Sequence, residues 1–219
     1  MGEADKDEAG AVGRIIETHD CVAEGAEWLA ARDARMAHAC DVAGLPPLRR
    51  RPEGFAQLLG AIVSQQVSTA AARAVWGRLE SAGLTESAAI ARADDAALRA
   101  AGLSRQKARY ARALAQAGID FDALRHRPTD AVVRELTTVT GIGVWTAEIY
   151  AMFSLGRADV FAPGDLALQE ATRLLYGLEA RPTERELRAM SARWSPWRAV
   201  AARLLWAYYH VEKQREGIA

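Results

Sequence analysis

The residues with the clearest potential for chemistry lie in the stretch 136–165, LTTVTGIGVWTAEIYAMFSLGRADVFAPGD. Gly141 and Gly143 occupy a short turn between two predicted helices, where glycine lets the backbone bend sharply and approach a large partner. The free N–H groups at the start of the second helix can hold an anion such as phosphate. Asp165 follows about 22 residues after Gly143. It is a good helix N-cap, and a helix N-terminus favours an ionised carboxylate.

Three other segments combine polar, basic or aromatic residues with predicted helix boundaries. They are 62–72, IVSQQVSTAAA; 102–108, GLSRQKA; and 194–206, WSPWRAVAARLLW. The first contains an expected turn at 64–68. The second opens a helix that continues with Arg105, Lys107, Arg109 and Arg112, which cannot all share one helical face.

The order of these segments resembles that of the HhH-GPD DNA glycosylases, which combine a helix-hairpin-helix with a Gly/Pro–Asp motif. The pattern Gly-Ile-Gly-Val-Trp at 141–145 is similar to that of the 3-methyladenine DNA glycosylase II group, in its compact form. The resemblance covers roughly residues 23–210. It implies an all-α, two-lobed fold with the active-site cleft between the lobes, and a partner that is damaged double-stranded DNA.

The resemblance assigns roles to single residues. Asp165 becomes the catalytic carboxylate, and Gln66 the wedge that enters the gap left by a flipped base. The base pocket is expected to include Trp145, Trp206 and Ile149. The backbone of the hairpin is expected to hold DNA through Thr140, Gly141, Ile142, Gly143 and Val144.

Trp145 defines the expected reaction class. Bifunctional relatives carry at this position a lysine that forms a Schiff base with the sugar, and an indole cannot act as that nucleophile. An indole face suits a cationic alkylated purine, and such a base departs as a neutral molecule without a general acid. The resemblance therefore implies a monofunctional glycosylase that removes 3-methyladenine or 7-methylguanine and leaves an abasic site.

No cofactor is expected for this reaction. The cysteine cluster of the endonuclease III relatives is missing from the sequence, so an iron–sulfur cluster is not expected. The family hairpin often holds Na⁺ or K⁺ through backbone carbonyls, and the matching residues are Thr137, Val139 and Ile142.

Two positions depart from the family pattern. Thr140 stands where the family has a proline before the first hairpin glycine, and Ile149 stands where it has an aromatic pocket residue. Glu148 precedes Ile149. These differences leave the shape and polarity of the pocket open.

Composition adds weaker constraints. The chain has 219 residues, half of them hydrophobic, and a formal net charge of zero. A neutral chain does not coat nucleic acid indiscriminately but can still grip it locally. Residues 1–22 are expected to form a disordered tail, and 23–219 one glycosylase domain of two interleaved helical lobes. A cytoplasmic, nucleoid-associated monomer is expected.

The chain predicts about ten helices and no sheet. The first is expected to span residues 23–42 without interruption. Predicted helix starts, with their N-caps or first turns, are Phe55, Ser68, Thr85, Asp94, Ser104, Thr129 or Asp130, Val144, Asp165, Thr183 and Pro196.

Several alternatives remain open from the sequence. One is a glycosylase for deaminated, ethenoadenine or oxidised bases. Another is a non-catalytic helix-hairpin-helix module that only holds DNA, and a third is a helical interaction protein without DNA affinity. Only the catalytic interpretation accounts for Asp165 together with Gln66, Trp145 and Trp206 in family order.

Overall fold

A computed structural model describes residues 12–215, and the expected all-α architecture is confirmed for this part of the chain. One isolated backbone bridge, between Ile15 and Arg157, is the extended pairing found there. Among the described residues no helix is both long and apolar enough to cross a membrane. The helices are α1 His19–Ala30, α2 Ala34–Ala43, α3 Phe55–Ser64, α4 Thr69–Ser81, α5 Ser87–Arg92, α6 Asp95–Ala100, α7 Arg105–Gln116, α8 Phe121–Leu124, α9 Thr129–Thr137, α10 Val144–Phe153, α11 Leu166–Tyr176, α12 Glu184–Ser191 and α13 Arg198–Arg215, with a 3₁₀ turn at Ala192–Trp194.

The first of two compact units is one continuous stretch, residues 51–150. It contains α3 to α9 and most of α10. Its core consists of apolar side chains that recur at helical spacing, among them Leu58, Leu59 and Ile62 on α3 and Leu79 on α4. Helix α7 packs against α3 and α5, which ties its two ends to the core of this unit.

The second unit is assembled from two separate stretches, residues 12–50 and 151–215. Helix α13 packs against α1, α2 and α11. Small residues permit this close packing: a Cβ on Gly25 of α1 would lie 2.7 Å from Val200 Cγ2 of α13. Ala199, Val200, Ala201 and Ala202 are consecutive and all buried, so the first turn of α13 is covered on nearly every side.

The predicted uninterrupted first helix is wrong. The segment forms two helices, because Asp33 caps α2 by accepting a hydrogen bond from the Arg35 N–H at 3.0 Å. The predicted disordered tail also ends earlier than residue 22. Ile16 is fully buried and donates its N–H to the Gly156 carbonyl at 2.7 Å, and α1 begins at His19. The rest of that tail, residues 1–11, lies outside the described residues.

Most other predicted boundaries agree with the structure, including the caps at Ser68, Asp94, Ser104 and Asp165 and the capping box at Thr183. Three differ. Glu86, not Thr85, is the N-cap of α5; the short helix α8 was not predicted; and Pro196, after a cis peptide bond, precedes α13 instead of lying in its first turn.

Candidate functional site

The hairpin turn lies between the end of α9 at Thr137 and the start of α10 at Val144. Gly141 is the residue that makes the turn possible, because its φ is +99°. A Cβ there would lie 2.7 Å from Tyr110 Cβ and closer still to the ring. Ile142 anchors the turn: its side chain is buried, and its N–H donates to the Val139 carbonyl at 3.0 Å.

Gly143 differs from Gly141 both in its backbone conformation and in the space around it. Its φ is not positive, and a Cβ on it would meet no atom within 4 Å. Thr140, Gly143 and Val144 are all exposed. The protein's own packing therefore explains Gly141 and leaves the space above Gly143 open at the first turn of α10.

The turn after α3 is joined to this hairpin. Gln66 is exposed and has a φ of +54°, a left-handed conformation that is uncommon for residues other than glycine. The neighbouring Gln65 donates from Nε2 to the Gly141 carbonyl at 3.0 Å. Val67 is 43% exposed. The turn thus presents Gln66 and Val67 outward while Gln65 fastens it to the hairpin.

The start of α7 completes this region. A groove of about 630 Å³ is lined by the turn after α3, by the hairpin and by the α7 start. Lys107 lies along it and donates from Nζ to the Val63 carbonyl at 2.6 Å, and burial lowers the pKa of Lys107. Three segments that are far apart in the sequence therefore form one surface of the first unit.

Helix α10 carries the predicted pocket residues of the first unit. Trp145 is 47% exposed, which is unusual for so large an apolar ring. Ile149 lies one helical turn further on the same face and is half-buried. Glu148 is buried at 4% exposure. Trp145 is thus placed on the surface, where a ligand can reach it.

Asp165 is the N-cap of α11, as predicted. Its Oδ1 accepts hydrogen bonds from the N–H groups of Ala167 at 2.9 Å and Leu168 at 3.0 Å. Trp206 Nε1 donates a third, at 3.2 Å. Three N–H donors therefore converge on one oxygen of this carboxylate. Asp165 itself is half-buried, and the next residue, Leu166, is 62% exposed.

Trp206 is held by two further residues of the second unit. Its ring stacks on Phe153 with centroids 5.8 Å apart and an interplanar angle of 29°. The guanidinium of Arg203 lies 4.7 Å from the Phe153 centroid. Arg203 is buried and donates to the carbonyls of Leu48, Ala199 and Met152. Burial and the nearby Arg50 and Arg49 lower the pKa of Arg203 to about 10.

Comparison with known proteins identifies the family. The model described as HhH-GPD superfamily base excision DNA repair protein matches residues 59–197, more than half of the chain. This chain belongs to the HhH-GPD superfamily.

Relatives and solved structures agree with this membership. DNA-3-methyladenine glycosylase 1 of Schizosaccharomyces pombe is 30% identical over 165 residues, covering 71% of this chain and 72% of that protein. The crystal structure of a DNA-3-methyladenine glycosidase from Bacillus halodurans has a TM-score of 0.80 and 34% identity, covering 87% of this chain and 91% of that one. The structure of S. pombe Mag1 in complex with abasic DNA has a TM-score of 0.73 and 28% identity, covering 84% of this chain and 95% of that one.

The length covered differs among relatives. Bacillus subtilis YfjP is 32% identical over 121 residues, which are 53% of this chain and 42% of YfjP. The chain therefore spans less than half of YfjP.

Within this HhH-GPD chain, several aromatic and charged residues near the predicted site are structural. Trp194 and Trp197 are buried. Arg198 donates from Nε to Asp159 Oδ1 at 2.6 Å and from Nη2 to the Asp159 carbonyl at 3.0 Å. Asp159 is thereby committed to holding the start of α13.

The predicted cation site stays a prediction. Of the three matching carbonyls, that of Val139 already accepts the N–H of Ile142. A carbonyl oxygen has two lone pairs, so this bond leaves one for a cation. Among the described residues, no group of three or more His, Cys, Asp or Glu could hold a metal ion.

Sequence reasoning missed three residues of this HhH-GPD site. Gln65 fastens the turn after α3 to the hairpin, Tyr110 packs against Gly141, and Phe153 supports Trp206. Gln65 stands inside a segment already recognised as important, so its position could have suggested a role. Tyr110 and Phe153 had no signal beyond being aromatic residues on helices.

Proposed function

We propose that this protein is a monofunctional DNA glycosylase of base excision repair, which removes alkylated purines such as 3-methyladenine and 7-methylguanine from duplex DNA. The observation that carries the proposal is the carboxylate of Asp165. Two backbone N–H groups and the Trp206 indole converge on its Oδ1 at the N-terminus of α11. Family membership and relatives named DNA-3-methyladenine glycosylase support the same reaction.

The reaction follows from the charge of the substrate. The bond between C1′ of the deoxyribose and the purine nitrogen breaks, and its electron pair leaves with the cationic base, which becomes neutral. Positive charge builds on the sugar, and the anionic Asp165 stabilises it. A water molecule then bonds to C1′ and transfers its proton to the carboxylate. The products are free base and an abasic site.

DNA is held in this proposal by the surface that joins the hairpin to the turn after α3. The open space above Gly143 admits a phosphate to the N–H groups at the start of α10. Gln66 enters the stack where the base has flipped out, because an unfilled gap costs a few kcal/mol. The complex of the relative Mag1 with abasic DNA supports this type of partner.

Base recognition is assigned to Trp145, Ile149 and Trp206. The exposed indole of Trp145 offers a π-face that attracts a cationic purine more strongly than a neutral one. Trp206 contributes a ring that Phe153 keeps in place. The remaining expectations are a reaction without a cofactor, a hairpin that holds Na⁺ or K⁺, and a cytoplasmic monomer that acts on nucleoid DNA.

Substitution of the carboxylate tests the proposal. Asp165→Asn keeps an N-capping side chain but removes the negative charge. We expect excision from methylated duplex DNA to fall by at least about a thousandfold, because electrostatic stabilisation of the transition state is lost. Binding to a duplex with an abasic-site analogue should stay within a few fold. Released bases are measured by chromatography under single-turnover conditions.

Asp94→Asn is the matched control, since Asp94 also caps a helix through its carboxylate, at 2.7 Å from the Ala97 N–H. It should leave excision unchanged. Strands should break only after alkali, because the residue two positions after Gly143 is Trp145 and not a lysine that could open the sugar. Undiminished turnover by Asp165→Asn would contradict the assignment. Release of ethenoadenine, deaminated or oxidised bases instead would move the protein to another lesion class. No release from any lesion would indicate a DNA-binding module.

A further inference from the structure

A second groove lies on the first unit, on the side of α7 away from the hairpin groove. It has a volume of about 440 Å³ and is lined by arginines from α6 and α7 together with one acidic residue. We call it the arginine groove, and it consists of Arg99, Arg105, Arg109, Arg112 and Asp95, with Ala108 and Ala113 on its floor. Arg105, Arg109 and Arg112 thus share one face of α7, whereas Lys107 lines the hairpin groove instead.

Positive side chains outnumber negative ones in the arginine groove. Arg112 is committed to Asp95, with Nη1 to Oδ1 at 2.5 Å, and its Nη2 donates to the Ala93 carbonyl at 3.0 Å. Arg99, Arg105 and Arg109 have no ion pair with any described residue, and all three are exposed. About three positive charges therefore remain in excess at one concave surface of a chain whose formal net charge is zero.

The arginine groove is separated from the hairpin groove by a ridge on α7. Tyr110 lines the hairpin groove and occupies the space that a Cβ on Gly141 would need. The guanidinium of Arg109, the preceding residue, lies 5.5 Å from the centroid of the Tyr110 ring. Arg109 and Tyr110 therefore form the ridge between the two grooves.

The dimensions suit a nucleic-acid backbone. Seven residues of α-helix separate Arg105 from Arg112, a rise of about 10 Å. Successive phosphates on one strand are about 3.4 Å apart along the duplex axis, so this row of arginines spans about three phosphates. Guanidinium groups match phosphate oxygens in bidentate geometry better than ammonium groups do.

We propose that the arginine groove binds the phosphate backbone of duplex DNA beyond the segment held by the hairpin. This second contact rests on the proposed function, because it extends the same DNA-bound state. It lengthens the footprint on undamaged DNA and takes no part in breaking the glycosidic bond.

Salt dependence of binding tests the proposal directly. The variant is Arg105→Gln/Arg109→Gln, in which two exposed side chains change and the fold is kept. The probes are undamaged duplexes of about one and about three helical turns. On the longer duplex, the slope of log affinity against log salt should become shallower by about 2, because each lost phosphate contact removes about 0.9. Affinity at low salt should fall roughly tenfold. On the shorter duplex, wild type and variant should agree.

Arg92→Gln/Arg185→Gln is the matched control, since it removes the same charge from exposed arginines outside both grooves. It should keep the wild-type slope. The proposal would be overturned by an unchanged slope in the groove variant, by an equal change of slope in the control, or by an equal loss of affinity for both duplexes. A wild type that binds no DNA would also overturn it.

Two further measurements separate this proposal from the proposed function. Single-turnover excision by the Arg105→Gln/Arg109→Gln variant, at saturating protein, should equal that of the wild type. If the wild type lacks excision but the slope still changes with duplex length, the arginine groove stands and the glycosylase assignment fails. Asp95→Asn should act in the opposite direction and raise affinity for the longer duplex about two- to threefold, since it removes the one negative charge in the groove.

Discussion

Asp165 combines an observed role with a proposed one. As an N-cap it satisfies the N–H groups of Ala167 and Leu168 at the start of α11. Trp206, 41 positions away in the sequence, adds a third donor. These three donors fix the direction of the carboxylate, which the proposed stabilisation of a short-lived cation requires.

Trp206→Phe tests whether the indole N–H positions this carboxylate. A phenyl ring keeps the stack on Phe153 but removes the donor to Asp165 Oδ1. A hydrogen bond to a charged group contributes about 1.5–3 kcal/mol. We expect the single-turnover rate constant to fall by about 10- to 100-fold, while affinity for the damaged duplex stays within a few fold.

The alternative outcome of the Trp206→Phe experiment is informative. An unchanged rate constant with weaker binding would mean that Trp206 acts only through its ring in the base pocket. Thermal unfolding provides the control, because a large drop in Tm would indicate that the substitution has disturbed the packing of α13.

At the scale of elements, the hairpin and α7 each present two distinct faces. The hairpin turns inward at Gly141, against Tyr110, and outward at Gly143. Helix α7 places Lys107 and Tyr110 toward the hairpin groove and its arginines toward the other side. A single helix of twelve residues thereby contributes to both grooves.

The two hairpin glycines form a matched pair of test positions. Gly141→Ala should destabilise the first unit by about 2 kcal/mol or more, because a methyl at φ +99° clashes with Tyr110. Gly143→Ala should change stability by less than about 0.5 kcal/mol but weaken duplex binding, because its methyl fills the space reserved for the DNA backbone. Urea unfolding and DNA binding measured on both variants check this pair. Normal binding by Gly143→Ala would show that DNA does not approach there.

At the scale of the whole molecule, one continuous unit is inserted between the two stretches of the other, and α10 runs from the first into the second. The distribution of charge is also a property of the whole chain. Equal numbers of acidic and basic residues cancel over the chain, yet four arginines, Arg99 of α6 and three of α7, collect on one side of α7. We therefore expect DNA binding that is local and strongly dependent on salt.

Alkaline pH offers a test of the packing of the first unit. Tyr150 is buried and its hydroxyl oxygen accepts the Gly54 N–H at 2.8 Å. Burial raises the pKa of Tyr150 from 10.0 to about 12. Because the folded-state pKa is raised, the neutral phenol contributes fully to the free energy of unfolding below pH 10, and this contribution is lost as pH rises through 12.

Tyr150→Phe should be less stable than the wild type by about 1 kcal/mol at neutral pH, because the Gly54 N–H loses its acceptor. Between pH 10 and 12 the difference should fall by up to about 1.4 kcal/mol per pH unit, so that it reaches zero at about pH 11 and then reverses in sign. Urea unfolding at pH 8, 10 and 11 measures it, and other titrating groups cancel in the difference. A constant difference across this range would contradict the burial of a neutral phenol.

Local features could be predicted from the sequence by itself. The caps at Ser68, Ser104 and Asp165, the hairpin turn and the start of α10 depend on residues within about four positions of one another. The order of these features along the chain was sufficient to predict the family. The same local reasoning failed at residues 23–42, where Asp33 competed as a cap inside a run of good helix formers.

The tertiary structure alone decided which distant residues meet. Gln65 reaches Gly141 across 76 positions, Trp206 reaches Asp165 across 41, and Arg99 joins the arginines of α7 in one groove. These pairs depend on how helices pack, and packing depends on the shapes of many buried side chains at once. No spacing in the sequence encodes such a contact, because helical periodicity determines the direction of a side chain but not the element that it faces.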